Sequence, residues 1–191
     1  MTAYPDINPL PDCYTDEKLY EALQKINRCQ IEHAIHLPEG YPVTSAMFRG
    51  CPADEENRIM TEAGAEYVHR GSARTVYRFG DCVVKIADTI ASREDNVREE
   101  TVWQNAPPTE RQFLTPVVES NTYGLFVTMP YVHIPQSVSA NTRTINELRN
   151  GMAAHGFSCP DIHQENVGRY KGKPVLLDYG AGILACIRNE K

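Results

Sequence analysis

The sequence predicts an α+β domain: two helices, a five-stranded antiparallel sheet interrupted by one helix, then a further helix and a strand pair. Two observations carry this. The texture of the chain changes near residue 65, from apolar residues at helical spacing to short runs of β-branched and aromatic residues. Those runs are separated by glycine-containing turns and grouped after the helices.

The elements follow in order. The first dozen residues hold Pro5, Pro9 and Pro11 and read as irregular. Thr15 can cap a helix running to about His36, with Leu19, Ala22, Leu23 and Ile26 on one face, ended by Pro38, Gly40 and Pro42. A short helix from Ala53 to Ala63 follows Pro52 and stops at Gly64, a good C-terminal cap. Strands are expected over Glu66–His69, Thr75–Phe79 and Cys82–Ala87, parted by Gly71 and by the tight turn Gly80-Asp81. A charged helix, about Ala91 to Asn105, closes at Pro107-Pro108. Two more strands, Thr115–Ser120 and Tyr123–Met129, join at Asn121-Thr122, and Pro130 stops the second. A helix from Thr144 to Ala154 ends at Gly156, and strands Val167–Tyr170 and Pro174–Leu177 flank Lys171-Gly172-Lys173. Residues 1–64 form a helical segment expected to pack on the rest. Residues 65–191 form the main domain, divided at 132/133 into two lobes.

Composition narrows the function. The net charge of −6, with no Lys/Arg block, argues against nucleic acid, which needs a clustered basic face. No apolar run reaches the ~18 residues of a membrane span, and the N-terminus has no secretory leader. Cys13, Cys29, Cys51, Cys82, Cys159 and Cys186 are scattered without a C-x-x-C pair, which suits free thiols in the cytoplasm.

The chemistry lies in Pro160-Asp161-Ile162-His163-Gln164-Glu165-Asn166 and, twelve residues beyond Asn166, in Asp178-Tyr179-Gly180. Transfer of a phosphoryl group from a nucleotide needs one carboxylate to orient the acceptor and take its proton. It also needs oxygen ligands to hold Mg²⁺ against the phosphates. Asp161, Asn166 and Asp178 are residues of those types.

The order Asp, four residues, Asn, a strand pair, then Asp-Tyr-Gly resembles the protein-kinase-like phosphotransferase superfamily, in a reduced form similar to aminoglycoside and RIO-type kinases and small virus-encoded kinases. The likeness covers about Glu66 to Gly182. It implies a five-stranded N-lobe sheet plus helix, a truncated C-lobe, and ATP and Mg²⁺ as cofactors. By resemblance, Asp161 is the catalytic base, Asn166 and Asp178 are metal ligands, and Lys85 in Val83-Val84-Lys85 bridges phosphates. Glu99, or Glu100 as the alternative, pairs with Lys85. Val76 falls opposite Lys85 in the hairpin, so Val76 and Val83 would cover adenine. Met129, Pro130 and Val132 resemble the hinge, which offers a carbonyl at Pro130 and an amide at Val132. Gly71 and Ser72 stand in the phosphate loop.

The pattern also departs from the family. Only one of the loop's three glycines survives, as Gly71, and Arg74 can supply charge instead. Cys159-Pro160 replaces the usual His-Arg, and only residues 181–191 follow Gly180, so an activation segment and helical platform are not expected. The N-terminal helices are expected to replace that platform, packing beneath the catalytic loop or on the sheet. His33 and His36 could ligate a metal or be a solvated pair. His163 could join Cys159 on a metal or hydrogen-bond within its loop. Three functions remain open: a phosphotransferase acting on an unknown protein or small molecule, a silent nucleotide-binding pseudokinase, and nucleotidyl transfer. The expected place is the cytoplasm, that of the host if a virus encodes the protein.

Overall fold

The computed structural model describes residues 16–35, 51–71, 73–88, 90–121, 123–180 and 184–185. Ser72, His36, Cys13 and Cys186 lie outside them, as do the expected irregular start and the breakers at 38–42.

Helices α1 (Glu17–Ile35) and α2 (Ala53–Glu62) precede β1 (Glu66–Arg70), β2 (Arg74–Phe79) and β3 (Cys82–Ala87). Helix α3 (Ile90–Asn105) and a single turn, α4 (Pro108–Arg111), lead to β4 (Glu119–Ser120) and β5 (Phe126–Pro130). Then come α5 (Val138–Ala154), β6 (Phe157–Ser158), the hairpin β7 (Val167–Tyr170) and β8 (Lys173–Leu176), and β9 (Leu184–Ala185), which pairs with β6. The five-stranded sheet is antiparallel, in the order β1-β2-β3-β5-β4.

Several elements differ from expectation. The expected strand from Thr115 is paired only at Glu119–Ser120, because the Thr115 N–H and hydroxyl both bond the Leu176 carbonyl (2.9 and 2.6 Å). That draws the segment toward the C-terminal half. Strand β5 starts at Phe126 and not Tyr123, since Gly124 turns the chain at φ +68. A Cβ there would lie 2.1 Å from the Arg93 carbonyl, so only glycine lets α3 pass this close. Helix α5 starts six residues before Thr144: Ser137 caps it, its hydroxyl accepting from the Ala140 N–H at 3.3 Å. Serine, threonine and asparagine in its first two turns are weak helix formers and hide that start in the sequence. Cys82 is disulfide-bonded, so the expectation of six free thiols does not hold.

Strand alternation gives the sheet two working faces. On one face Tyr77, Val84, Ile86 and Phe126 pack, with Leu125, against Leu19, Ala22, Leu23 and Ile26 of α1 and Ile59 and Met60 of α2. The N-terminal helices therefore cover the sheet and not the underside of the 160–166 loop. Helix α5 takes that place, with Ile145, Leu148 and Met152 buried against Ile162, Val167, Leu176 and Tyr179. The other sheet face joins this second core through Val127 and Met129, with Val83 partly buried against it. Among the described residues no helix is long and apolar enough to cross a membrane.

A buried polar cluster ties α2 to the sheet. Glu56, only 2% exposed, accepts from the Tyr77 hydroxyl at 3.2 Å. Nearby Asp88 accepts from Thr75 (3.1 Å) and Arg70 (3.0 Å). Burial, reinforced by the Asp88 charge and opposed by the neighbouring Thr75 and Tyr77 hydroxyls, pushes the Glu56 carboxyl up to about 7. A raised carboxyl keeps its proton in the folded state up to about pH 7, whereas in the unfolded chain it titrates near pH 4.5. Its stabilisation is therefore full below that pH and is lost as pH rises through 7. The shift corresponds to as much as about 3 kcal/mol. Urea unfolding at pH 5 through 8 is expected to show this loss, and Glu56→Gln is expected to flatten it. An unchanged slope in the variant would place the proton elsewhere.

Candidate active site

Register determines which side chains meet. Arg74, Val76 and Arg78 pair with Ala87, Lys85 and Val83, and Lys85 and Val83 pair in turn with Val127 and Met129. All of these point to the sheet face that looks toward α3 and the C-terminal half. The opposition of Val76 to Lys85 is thus as expected, and Val83 lies beside both.

Lys85, 7% exposed, spends its three donors locally. Its ammonium donates to both carboxylate oxygens of Glu99, at 2.9 and 3.1 Å, and to the Leu177 carbonyl at 2.6 Å. Glu99, not Glu100, makes this pair: Glu99 is fully buried, whereas Glu100 is partly exposed and accepts from Gln104 at 2.8 Å. Burial pushes the Glu99 carboxyl up, against the pull of Lys85 and Arg74.

Helix α3 turns a polar face inward: Ser92, Asn96 and Glu99 are wholly buried at helical spacing. The Asn96 carboxamide donates to the Gly124 carbonyl at 2.9 Å, and its oxygen accepts from Arg74 at 3.1 Å. This helix is fastened to the sheet by hydrogen bonds that also set the direction of Glu99.

Asp178 follows β8 and meets the same group. Burial would raise its carboxyl, but Lys85 and Arg74 outweigh burial and hold it well below the usual carboxylate range. The Arg74 guanidinium bonds the Asp178 carboxylate directly and lies 3.2 Å from Glu99. Arg74 is the site residue that sequence reasoning underweighted. The signal was present, because it stands two residues before Val76 and so shares the face of Lys85.

Asn166 joins the two halves of the loop region. Its amide nitrogen donates to the carbonyls of Asp161 and Asp178, both at 2.8 Å, and its oxygen accepts from the Asp178 N–H. The residue is 2% exposed. It acts here as a clasp, and its oxygen, expected to face a metal, already accepts one backbone bond. Asp161 stays exposed, with the His163 ring 3.6 Å from its carboxylate, so His163 faces its own loop. Among the described residues there is no cluster of three His, Cys, Asp or Glu that could hold a metal, so His163 and Cys159 do not belong to one; the His33 and His36 side chains lie outside the described residues. The loop is held from α5: Asn141 donates to the Gln164 carbonyl (3.1 Å) and Arg149 to that of Ile162 (2.9 Å).

The expected hinge ends β5. Pro130 stands opposite Cys82, and the Tyr131 N–H bonds the Asp81 carbonyl at 2.7 Å. Pro130 therefore occupies a narrow, non-bonded pair, where its missing N–H costs the ladder nothing and its carbonyl turns away from β3. Among the described residues nothing accepts from the Val132 N–H. The Val132 side chain is buried, and Gly168 lets it pack: a Cβ there would lie 2.5 Å from a Val132 methyl. Met129 is also buried, so it forms the floor of this corner and not its rim. Gly71 closes the β1–β2 turn through its N–H to the Arg74 carbonyl at 2.8 Å.

The structure thus brings Lys85, Glu99, Asn166 and Asp178 together and adds Arg74. Their two cations and two carboxylates, each taken at its formal charge, sum to zero. Asp178 and Asn166 offer oxygens of the hard kind that Mg²⁺ takes, and here Arg74 and the Asp178 N–H engage them.

No family model and no curated protein matches the chain. Among solved structures it is similar to the Legionella pneumophila Lpg2603 kinase bound to IP6, at 17% identity and a TM-score of 0.41. That match covers 65% of this chain and 51% of the other, so the chain spans about half the length of that protein.

Proposed function

We propose that the protein is an ATP- and Mg²⁺-dependent phosphotransferase acting on a protein or small-molecule hydroxyl. The observation that carries this reading is the buried Lys85–Glu99 pair, 2.9 Å apart, set beside Asp178 and an asparagine clasp on Asp161. When bound, Mg-ATP supplies the transferable phosphoryl group and neutralises its charge. Asp178, with Asn166, would hold the metal. Lys85, kept in place by Glu99, turns its ammonium from the Leu177 carbonyl to phosphate oxygen. Val76 and Val83 cover adenine, and the Pro130 carbonyl and Val132 N–H receive its edge. Asp161, the exposed carboxylate, orients the acceptor hydroxyl and takes its proton.

Binding of Mg-ATP at about 100 times its Kd should stabilise the fold by about 2.7 kcal/mol, roughly 5–10 °C in Tm. Lys85→Met should remove most of this shift. Thermal unfolding with ATP, ADP and GTP tests it, and no shift with any of the three ends the nucleotide reading.

A second reading, nucleotide binding without turnover, draws on two contacts: Arg74 on the Asp178 carboxylate and the Asp178 N–H on the Asn166 oxygen. Both engage atoms that the metal would need.

A further inference from the structure

Outside the site just described, two thiols meet at the junction of α1 and α2. Cys29 lies on α1 and is half-buried. Cys51, 4% exposed, stands just before Pro52, the residue that opens α2. Cys29 packs against the core cluster that holds Cys51, close enough for each thiol to bear on the other, although twenty-one residues separate them in sequence. Cys159, in the other core, is remote from both, and Cys82 is already in a disulfide.

The environments of the two thiols differ. Cys51 faces the core with Ile26, Ile59 and Met60, and burial, then the neighbouring Cys29 thiol, pushes its thiol well up. Cys29 lines a cavity of about 320 Å³ between the helices, and Cys51 does not. Lys25, Arg28 and Arg58 line the same cavity with Glu32 and Glu55, three cations against two carboxylates. Arg58 is matched by Glu55 (2.6 Å) and Glu62 (2.7 Å), while Lys25 and Arg28 are exposed on α1.

We propose that Cys29 and Cys51 are a thiol pair that closes to a disulfide by exchange with an anionic small-molecule disulfide of the glutathione class entering over Cys29. The asymmetry sets the order of events. The Cys29 sulfur attacks one sulfur of the entering disulfide, and the other leaves as a glutathione thiolate. Cys51 then gives up its proton and attacks the Cys29 sulfur, releasing the second glutathione. Two protein thiols are oxidised and one disulfide is reduced to two thiols, so electrons and protons balance. With three cations against two carboxylates, the lining favours a disulfide that carries carboxylates. The product closes the loop over residues 30–50 and fixes α1 to the start of α2.

The test uses the full chain, without added reductant, incubated with oxidised glutathione. Peptide mass mapping should find Cys29 linked to Cys51 with no glutathione retained, and Tm should rise by roughly 5–10 °C. Cys51→Ser should instead accumulate glutathione on Cys29. Lys25→Glu combined with Arg28→Glu should slow the reaction about tenfold with oxidised glutathione and leave it unchanged with neutral bis(2-hydroxyethyl) disulfide. A lasting glutathione adduct on wild-type Cys29 without the crosslink, or no reaction at either cysteine, overturns the pair. Equal slowing with both disulfides overturns the anionic class.

Discussion

A chain beginning at Glu66 is expected to be insoluble or molten. Removing α1 and α2 uncovers Tyr77, Val84, Ile86, Leu125 and Phe126, all 5% exposed or less in the intact protein. At roughly 1.5–3 kcal/mol for each such side chain, the lost burial is on the order of 10 kcal/mol before chain entropy is counted. That is comparable to the whole stability of a domain, about 5–15 kcal/mol. The shortened chain also strips Tyr77 of Glu56 and the Ala87 carbonyl of the Gln30 amide at 2.9 Å. Near-UV circular dichroism and a urea titration of the fragment check this. A soluble fragment that unfolds cooperatively and still binds ATP would make the two helices an accessory to the sheet.

The second large effect is expected at Asp161, the exposed carboxylate of the 160–166 loop. Under the proposed phosphotransfer, Asp161→Ala should lower transfer by roughly 10²–10⁴ and leave Mg-ATP affinity nearly intact. Asp161 lends Asn166 mainly its backbone carbonyl, at 2.8 Å, which alanine also provides. Asp178→Ala should instead abolish the Mg²⁺-dependent part of nucleotide binding, because it would remove the proposed metal ligand. It also leaves Arg74 buried with only Glu99 and Asn96 as partners. Calorimetric titration beside a γ-phosphate transfer assay separates the two roles. Equal loss of affinity in both variants would show them to be wrongly assigned. An Asp161→Ala protein indistinguishable from wild type in transfer would favour the reading without turnover.

What the sequence disclosed follows from which forces act locally. The three-strand meander was legible because Gly80-Asp81 fixes the hairpin, and a fixed hairpin fixes the pairing of Val76 with Lys85. Continued by two residues, that parity places Arg74 on the same face. Its partners Glu99 and Asp178 stand 25 and 104 positions away, so nothing local marks their meeting. Helix α3 could be read as a helix, but its buried side was hidden, because Ser92, Asn96 and Glu99 look like solvent-facing residues. They are buried because carbonyls and cations wait for them across the seam. Helix α5 lost its first turns to a Ser/Asn/Thr-rich sequence that only the Ser137 cap rescues. The β6–β9 pair joins residues far apart in the chain, and no periodicity announces a two-residue strand.

The electrical balance of Arg74, Lys85, Glu99 and Asp178 has a consequence for how partners could arrive. Each cation already has its anion, so the group offers no surplus to either a bare nucleotide or a bare divalent ion. A metal alone would displace Arg74 and leave it stranded beside positive charge. A nucleotide alone would bring several negative charges to cations that are already matched. Only joint arrival lets every charge change partners and end paired, the metal taking Asp178 and the guanidinium released to phosphate. On the proposed reading the site works as a coincidence detector, in which each ligand tightens the other by the same factor.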